Sequence, residues 1–216
     1  MELYIDTVIL EDIKKACKTG LIKGITTTPT FFARDGFTDP IQFYKKMREI
    51  FDGDLQVEAL GSDPDEIKAS IDEILRAGLD NLTFKTPVNW QGLKTVKMYS
   101  GDYKFNVHLV YTVNQAVLAA DCGAAIVCPL MGRFDDYGGD SYALLCSIKE
   151  ALVKNGFDTK VMASSIRHPK HVEVAFQVPA DIVTIPPKVF WNLLESPYTQ
   201  DGIVKFEADL KAVSLK

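Results

Sequence analysis

The 216-residue sequence has few of the side chains that build metal centres or disulfide frameworks: three histidines and four cysteines. Cys17, Cys122, Cys128 and Cys146 form no C-x-x-C pair and share no zinc-like spacing with the histidines, so no metal site is expected. No apolar stretch approaches the ~20 residues that a bilayer crossing needs. The first residues, MELYIDTVILEDIKK, carry acids from position 2 and lack a basic n-region with a cleavage site, so no signal peptide is expected. The cysteines therefore read as reduced cytosolic thiols, mostly packed as small hydrophobes. A basic excess is missing too: 24 Lys+Arg stand against 29 Asp+Glu, a formal net charge of −5. That balance argues against nucleic acid or an anionic membrane as the main partner. No biased segment or linker breaks the chain, and 47% hydrophobic content excludes a disordered protein. No Gly-rich phosphate loop of the Rossmann or Walker type appears.

What is present alternates. Short runs rich in β-formers occupy Leu3–Thr7, Gly24–Thr28, Gln56–Leu60, Leu82–Thr86, Phe105–Tyr111, Ala124–Leu130, Lys160–Ser165 and Asp181–Pro186. Helical periodicity marks Glu11–Thr19, Asp63–Ala77, Ser141–Lys154, His168–Gln177 and a last stretch from about Gly202 to Val213. In the second of these, Ile67, Ile71, Ile74 and Leu75 share a face, and Ser62-Asp63-Pro64 is a cap followed by a first-turn proline. Eight strand–helix units in this length take about 27 residues each, and alternating units call for parallel strands. An open doubly wound sheet and a closed barrel compete. The count of eight and the missing phosphate loop favour a (β/α)8 TIM barrel with an additional C-terminal helix, residues 1–216 forming one catalytic domain.

In such a barrel the reactive face lies at the C-terminal ends of the strands. Polar groups gather there: Asp6, Thr26 with Thr28, Glu58, Lys85, Asn106 with His108, and Ser165, with Arg133 and Arg167 just beyond. An internal salt bridge accounts for the carboxylates and the lysine in purely structural terms. Their placement on different strands at one end, beside two arginines, instead suits Schiff-base chemistry. A lysine attacks a ketone only as the neutral amine, a form that burial favours, and Leu82 and Phe84 are its apolar sequence neighbours. Asp6 fits the general base on a substrate hydroxyl, and Glu58 fits the acid that handles water during imine formation. Arg133, Arg167 and Ser165 fit a phosphate.

MELYIDT, GITTTPT, LTFKTP, NVHLVYTVNQA, CPLMGRFDD and SSIRHP, in this order, resemble the transaldolase family, and within it the small single-barrel branch that includes fructose-6-phosphate aldolase. The resemblance runs through the C-terminal KFEADLKAV. It implies an enzyme without metal or cofactor that links a ketose to lysine and passes a dihydroxyacetone unit between sugar phosphates. The aldolase relatives release or add the free ketone. By resemblance, Lys85 is the Schiff-base lysine, Asp6 the acid/base and Glu58 the glutamate acting through a catalytic water, where aldolase relatives have glutamine. Asn106 matches the strand-five asparagine, and Arg133, Ser165 and Arg167 match the phosphate set.

Four positions depart from the family pattern: Thr28 for asparagine, His108 for threonine, Cys128 for serine, and Leu130 for phenylalanine or tyrosine. They surround the donor ketone, where a lost hydroxyl contact redirects specificity. Each has a plain counterpart: Thr28 as a β-former, Leu130 as barrel filling, Cys128 as a packed small residue. His108 is either a hydrogen-bonded spacer or a proton carrier. His168 and His171 read as surface or helix-start residues, Phe31 and Phe32 as packing, with a wall of the pocket as the alternative, and Lys14-Lys15 and Lys45-Lys46 as solvated faces. The expected protein is a cytoplasmic transaldolase-like enzyme acting on sugar phosphates. An aldolase and a non-catalytic sugar-phosphate binder are the alternatives. The branch also implies a homo-oligomer, a pentamer or decamer.

Overall fold

The computed structural model describes residues 1–178 and 180–214. Eight parallel strands close into a barrel: β1 (Glu2–Asp6), β2 (Ile22–Thr26), β3 (Asp54–Glu58), β4 (Leu82–Pro87), β5 (Phe105–Val110), β6 (Ile126–Pro129), β7 (Lys160–Ala163) and β8 (Ile182–Ile185). Their spatial order is their chain order, and β8 pairs back onto β1. Outside run α1 (Leu10–Cys17), α2 (Pro29–Arg34), α3 (Pro40–Arg48), α4 (Pro64–Arg76), α5 (Trp90–Tyr99), α6 (Val113–Asp121), α7 (Met131–Asp136), α8 (Ser141–Lys154), α9 (Pro169–Gln177), α10 (Pro187–Asn192) and α11 (Pro197–Ser214).

The expected (β/α)8 barrel with its C-terminal helix is therefore the observed fold. The strand ends are shorter than expected in instructive places. β2 stops at Thr26 because Pro29 opens α2, which holds Thr28 extended (φ −140°, ψ 150°) as the residue before the helix. Leu130 caps α7 and Ser165 lies in the loop beyond β7, so neither is a strand residue. In α4 the Asp63 carboxylate accepts from Asp65 N and Glu66 N, both at 2.9 Å, as a cap should. Ile67, Ile71 and Ile74 are buried, whereas Leu75, at the edge of the stripe, is exposed.

Strand alternation divides the core in two. Outward-facing residues such as Ile5, Ile25, Leu55, Phe84 and Phe105 pack against the helices. A smaller cluster of Tyr4, Ile126, Cys128, Met162 and Ile182 fills the barrel itself. Tyr4 lies across β2 at Gly24, where an added Cβ would sit 2.1 Å from its ring, so only glycine admits the phenol there. The register slips between His108 and Val110 on β5, and Leu109 in this bulge has φ +60°.

Candidate active site

All twelve residues expected at the site line one cavity of about 500 Å³ at the C-terminal ends of the strands. Period-two alternation turns Asp6, Thr26, Glu58, Lys85, Asn106 and His108 inward. Lys85 is the buried lysine of the described residues, 4% exposed, and its Nζ donates to Thr27 O at 2.7 Å. Glu58 Oε2 lies 3.6 Å from the same nitrogen. Leu82 and Phe84 do not flank the amine as expected. Phe84 is one residue away and so faces the helices, edge-on to Tyr103 at 5.8 Å, while the lysine faces the barrel axis.

Glu58 also meets His108, Oε1 to Nε2, at 2.7 Å. Burial pushes the Glu58 carboxyl up, but the His108 hydrogen bond and the His108 and Lys85 charges outweigh it and hold it below the usual range. Burial, then the Lys85 and Arg133 charges, push His108 down against the pull of Glu58. The pair is therefore a neutral imidazole donating its Nε2–H to a carboxylate at neutral pH.

Asp6 behaves oppositely. It keeps some surface open to the cavity yet is ringed by protein, and burial raises its carboxyl above the usual range, against the Thr26 hydrogen bond and the Lys85 and Arg34 charges. Thr26 Oγ1 gives its one proton to Asp6 Oδ1 at 2.6 Å, so Thr184, also 2.6 Å away, donates to Thr26. Two buried acceptors on cavity-lining residues, Glu58 Oε2 and Asn106 Oδ1, have no hydrogen-bond partner. Burial pushes the Cys128 thiol up to about 11, so it is protonated at neutral pH and packs as the small residue expected.

The cationic corner is built by a close approach. Gly132 in α7 donates its N–H to Ser165 O at 3.1 Å, and a Cβ there would lie 2.3 Å from that oxygen and 2.6 Å from Arg167 Cγ. Ser165 takes φ +56°, a strained backbone for a non-glycine residue. Arg167 pairs with Asp136 at 2.7 Å, and both are half-exposed. Arg133 is exposed and makes no ion pair within 4.0 Å among the described residues.

The structure also corrects or extends the candidate set. His168 and His171 both open α9 as expected: His168 is the exposed residue before the helix, and His171, in the first turn, is buried, its ring packed against His168 and facing Asp135 at 3.2 Å. Phe32 packs in the core, and Phe31 takes the alternative reading and lines the cavity, under the Arg34 guanidinium at 4.9 Å. Thr184 and Leu109 line the cavity and were not candidates. The inward parity of DIVTIP signals Thr184. Leu109 carries no such signal, because only the bulge sets it beside His108 on the same wall.

The family model described as transaldolase/fructose-6-phosphate aldolase matches residues 3–215. The chain belongs to this family. A "Probable transaldolase" of Carboxydothermus hydrogenoformans is 39% identical over 99% of each chain. Similarly named proteins of Agathobacter rectalis (40%, 99% of each chain) and Geobacillus sp. (39%, 97% of this chain and 98% of the other) agree. Among solved structures, a thiamine phosphate pyrophosphorylase from Pyrococcus furiosus superposes with TM-score 0.59 at 16% identity, covering 89% of this chain and 93% of its own, and supports the barrel fold alone. Transaldolase/fructose-6-phosphate aldolase members are aldolase-type enzymes acting on sugar phosphates, and the lysine Schiff base is a property of the family. No helix among the described residues is long and apolar enough to cross a membrane.

Proposed function

We propose that this chain is a transaldolase-like enzyme, residues 1–216 acting as one barrel catalytic domain, that transfers a dihydroxyacetone-type unit from a ketose phosphate to an aldose phosphate. The observation that carries this reading is Lys85, a buried lysine between Glu58 and Thr27 O on the floor of a cavity whose far corner is cationic. Lys85 Nζ adds to the ketose carbonyl as the neutral amine, and loss of water from the carbinolamine leaves an iminium. Glu58, a carboxylate at rest that His108 orients through their 2.7 Å contact, first takes a proton from Lys85 Nζ, 3.6 Å away, as the neutral amine forms, and then gives that proton to the departing water. Asp6 then removes the proton of the hydroxyl on the carbon beyond the scissile bond. That bond breaks, the electron pair moves into the iminium as an enamine, and an aldose phosphate leaves. The enamine adds to the acceptor aldehyde, Asp6 returns the proton to the new alkoxide, and hydrolysis frees Lys85. Asp6 is suited to this shuttle because its carboxyl is held above the usual range. Arg133, Arg167 and Ser165 take the phosphate, with Arg167 exchanging Asp136 for it. Thr26, Thr28, Asn106, Cys128 and Leu130 shape the donor's side.

Borohydride reduction with ketoses and ketose phosphates, read by mass spectrometry, tests the reading: an adduct on Lys85 is expected, absent in Lys85→Ala. No adduct with any ketone leaves only a sugar-phosphate binder. Full-rate ketone release with no aldose phosphate present makes the chain an aldolase instead.

A cytoplasmic homo-oligomer, pentamer or decamer as in the small-barrel relatives, belongs to the same proposal. It is supported by α11, with Tyr198, Val204 and Phe206 exposed, and by an apolar groove of about 340 Å³ lined by Leu3, Leu21, Phe176, Trp191 and Leu194, a surface suited to an amphipathic helix of a neighbouring copy. Light scattering that finds only monomer at micromolar concentration overturns it.

A further inference from the structure

One layer below Lys85 the barrel holds a line of polar groups on β3, β4 and β5. Asp54 is buried at its lower end and accepts from Thr83 Oγ1 at 2.6 Å, Tyr4 Oη at 3.0 Å and Gln56 Nε2 at 3.1 Å, with Lys104 Nζ at 3.7 Å. Burial first, then the Asp54 charge, keep the Tyr4 phenol protonated and donating. Gln56 is fully buried. Because its Nε2 is given to the carboxylate, its Oε1 faces the other way and accepts from Asn106 Nδ2 at 2.6 Å. The remaining N–H of Asn106 faces sulfur, 3.5 Å from Met162 Sδ. The direction of every amide in the line thus follows from one carboxylate that can only accept. The line ends on Asn106 Oδ1, which is fully buried, belongs to a residue lining the cavity, and has no partner. A buried acceptor of this kind requires a donor.

We propose that Gln56, backed by Asp54, is a positioning residue: it locks the Asn106 carboxamide with its oxygen toward the cavity, so that Asn106 accepts a hydrogen bond from a hydroxyl of the ketone bound at Lys85. The consequence is selection for hydroxylated donors. A ketone without that hydroxyl leaves Asn106 Oδ1 buried and unpaired, and a site built around a hydroxyl rejects the analogue that lacks it. Gln56 touches no substrate and acts through Asn106 alone. The inference rests on the reading of Lys85 as the Schiff-base residue.

The test is the concentration dependence of the borohydride-trapped Lys85 adduct with dihydroxyacetone and with hydroxyacetone, which differ by one hydroxyl. The unmodified chain is expected to favour dihydroxyacetone by about tenfold or more. Gln56→Met keeps the volume and removes both amide contacts, and it should bring the ratio to within about threefold of unity, mostly by weakening dihydroxyacetone. Asp54→Asn, which no longer dictates which way Gln56 points, should lower the ratio by a smaller factor and serves if Gln56→Met does not fold. In an Asn106→Ala background the Gln56 change should have no further effect on the ratio. A purely structural role for Gln56 would reduce both adducts equally and leave the ratio unchanged, and that result overturns the proposal. So does a unit ratio in the unmodified chain. Absence of any Lys85 adduct is a separate failure, of the Schiff-base reading itself, and takes this inference with it.

Discussion

Replacing Gly132 by alanine separates phosphate recognition from the chemistry at Lys85. The new Cβ would stand 2.3 Å from Ser165 O, a backbone atom that cannot rotate away, and 2.6 Å from Arg167 Cγ. Ordinary contact begins at 3.4 Å, so α7 and the Ser165–Arg167 loop must part by about 1 Å. The loop is already strained at Ser165 and is stitched to α7 by the Met131 N–Ser164 O (3.0 Å) and Gly132 N–Ser165 O (3.1 Å) hydrogen bonds, so it moves as a unit. Charge-assisted hydrogen bonds form near 2.7–2.9 Å, and a displacement of about 1 Å abolishes them. Each is worth about 1.5–3 kcal/mol, so KM for phosphorylated substrates should rise about 10- to 150-fold. Trapping of unphosphorylated dihydroxyacetone on Lys85 should change less than about threefold, since no residue of β1–β5 shifts. Steady-state kinetics with phosphorylated and unphosphorylated acceptors, beside the trapping assay, reads both. Equal losses with the two acceptor classes, or no loss with either, would refute the reasoning.

Asp6→Asn trades activity for stability. The folded-state carboxyl lies above its unfolded value, so its ionised form costs stability at neutral pH, and that stability returns as pH falls through the folded value. The variant should therefore melt higher than the parent at pH 7.5, by about 2–4 °C for each kcal/mol relieved, with the gap closing near pH 4, while sugar-phosphate turnover is lost. A lower melting temperature at pH 7.5 counts against the burial argument. His108→Phe removes the donor that holds Glu58 below its usual range, so the Glu58 limb of the pH–kcat profile should move to higher pH and kcat should fall about 100-fold. An unmoved limb would show that His108 does not control Glu58.

The barrel is legible in the sequence because its eight β-rich runs each contain inward polar or small residues at alternate positions, and α4 announces itself through Asp63-Pro64. The short helices α2, α7 and α10 are not legible: six residues give too few turns for periodicity to register. The catalytic candidates are legible since charged side chains stand out against apolar strands. Parity, not proximity in sequence, decides what flanks them, which is why Phe84 turns away from Lys85 while Thr184, on the far side of the chain, reaches Thr26. Gln56 is invisible at that level. It is neutral and sits below the strand ends where reactive groups are sought, and its partner Asn106 lies 50 residues away in sequence. The burial of His171 at the start of α9 is hidden for a similar reason, since its ring faces Asp135 from a different helix.

The Tyr4 ring seated on Gly24 makes the barrel a vessel with one opening. With Ile126, Met162 and Ile182 it stoppers the end opposite the cationic mouth. On the proposed reading, ketose, acceptor and the water exchanged at Lys85 all pass that one doorway, in turn.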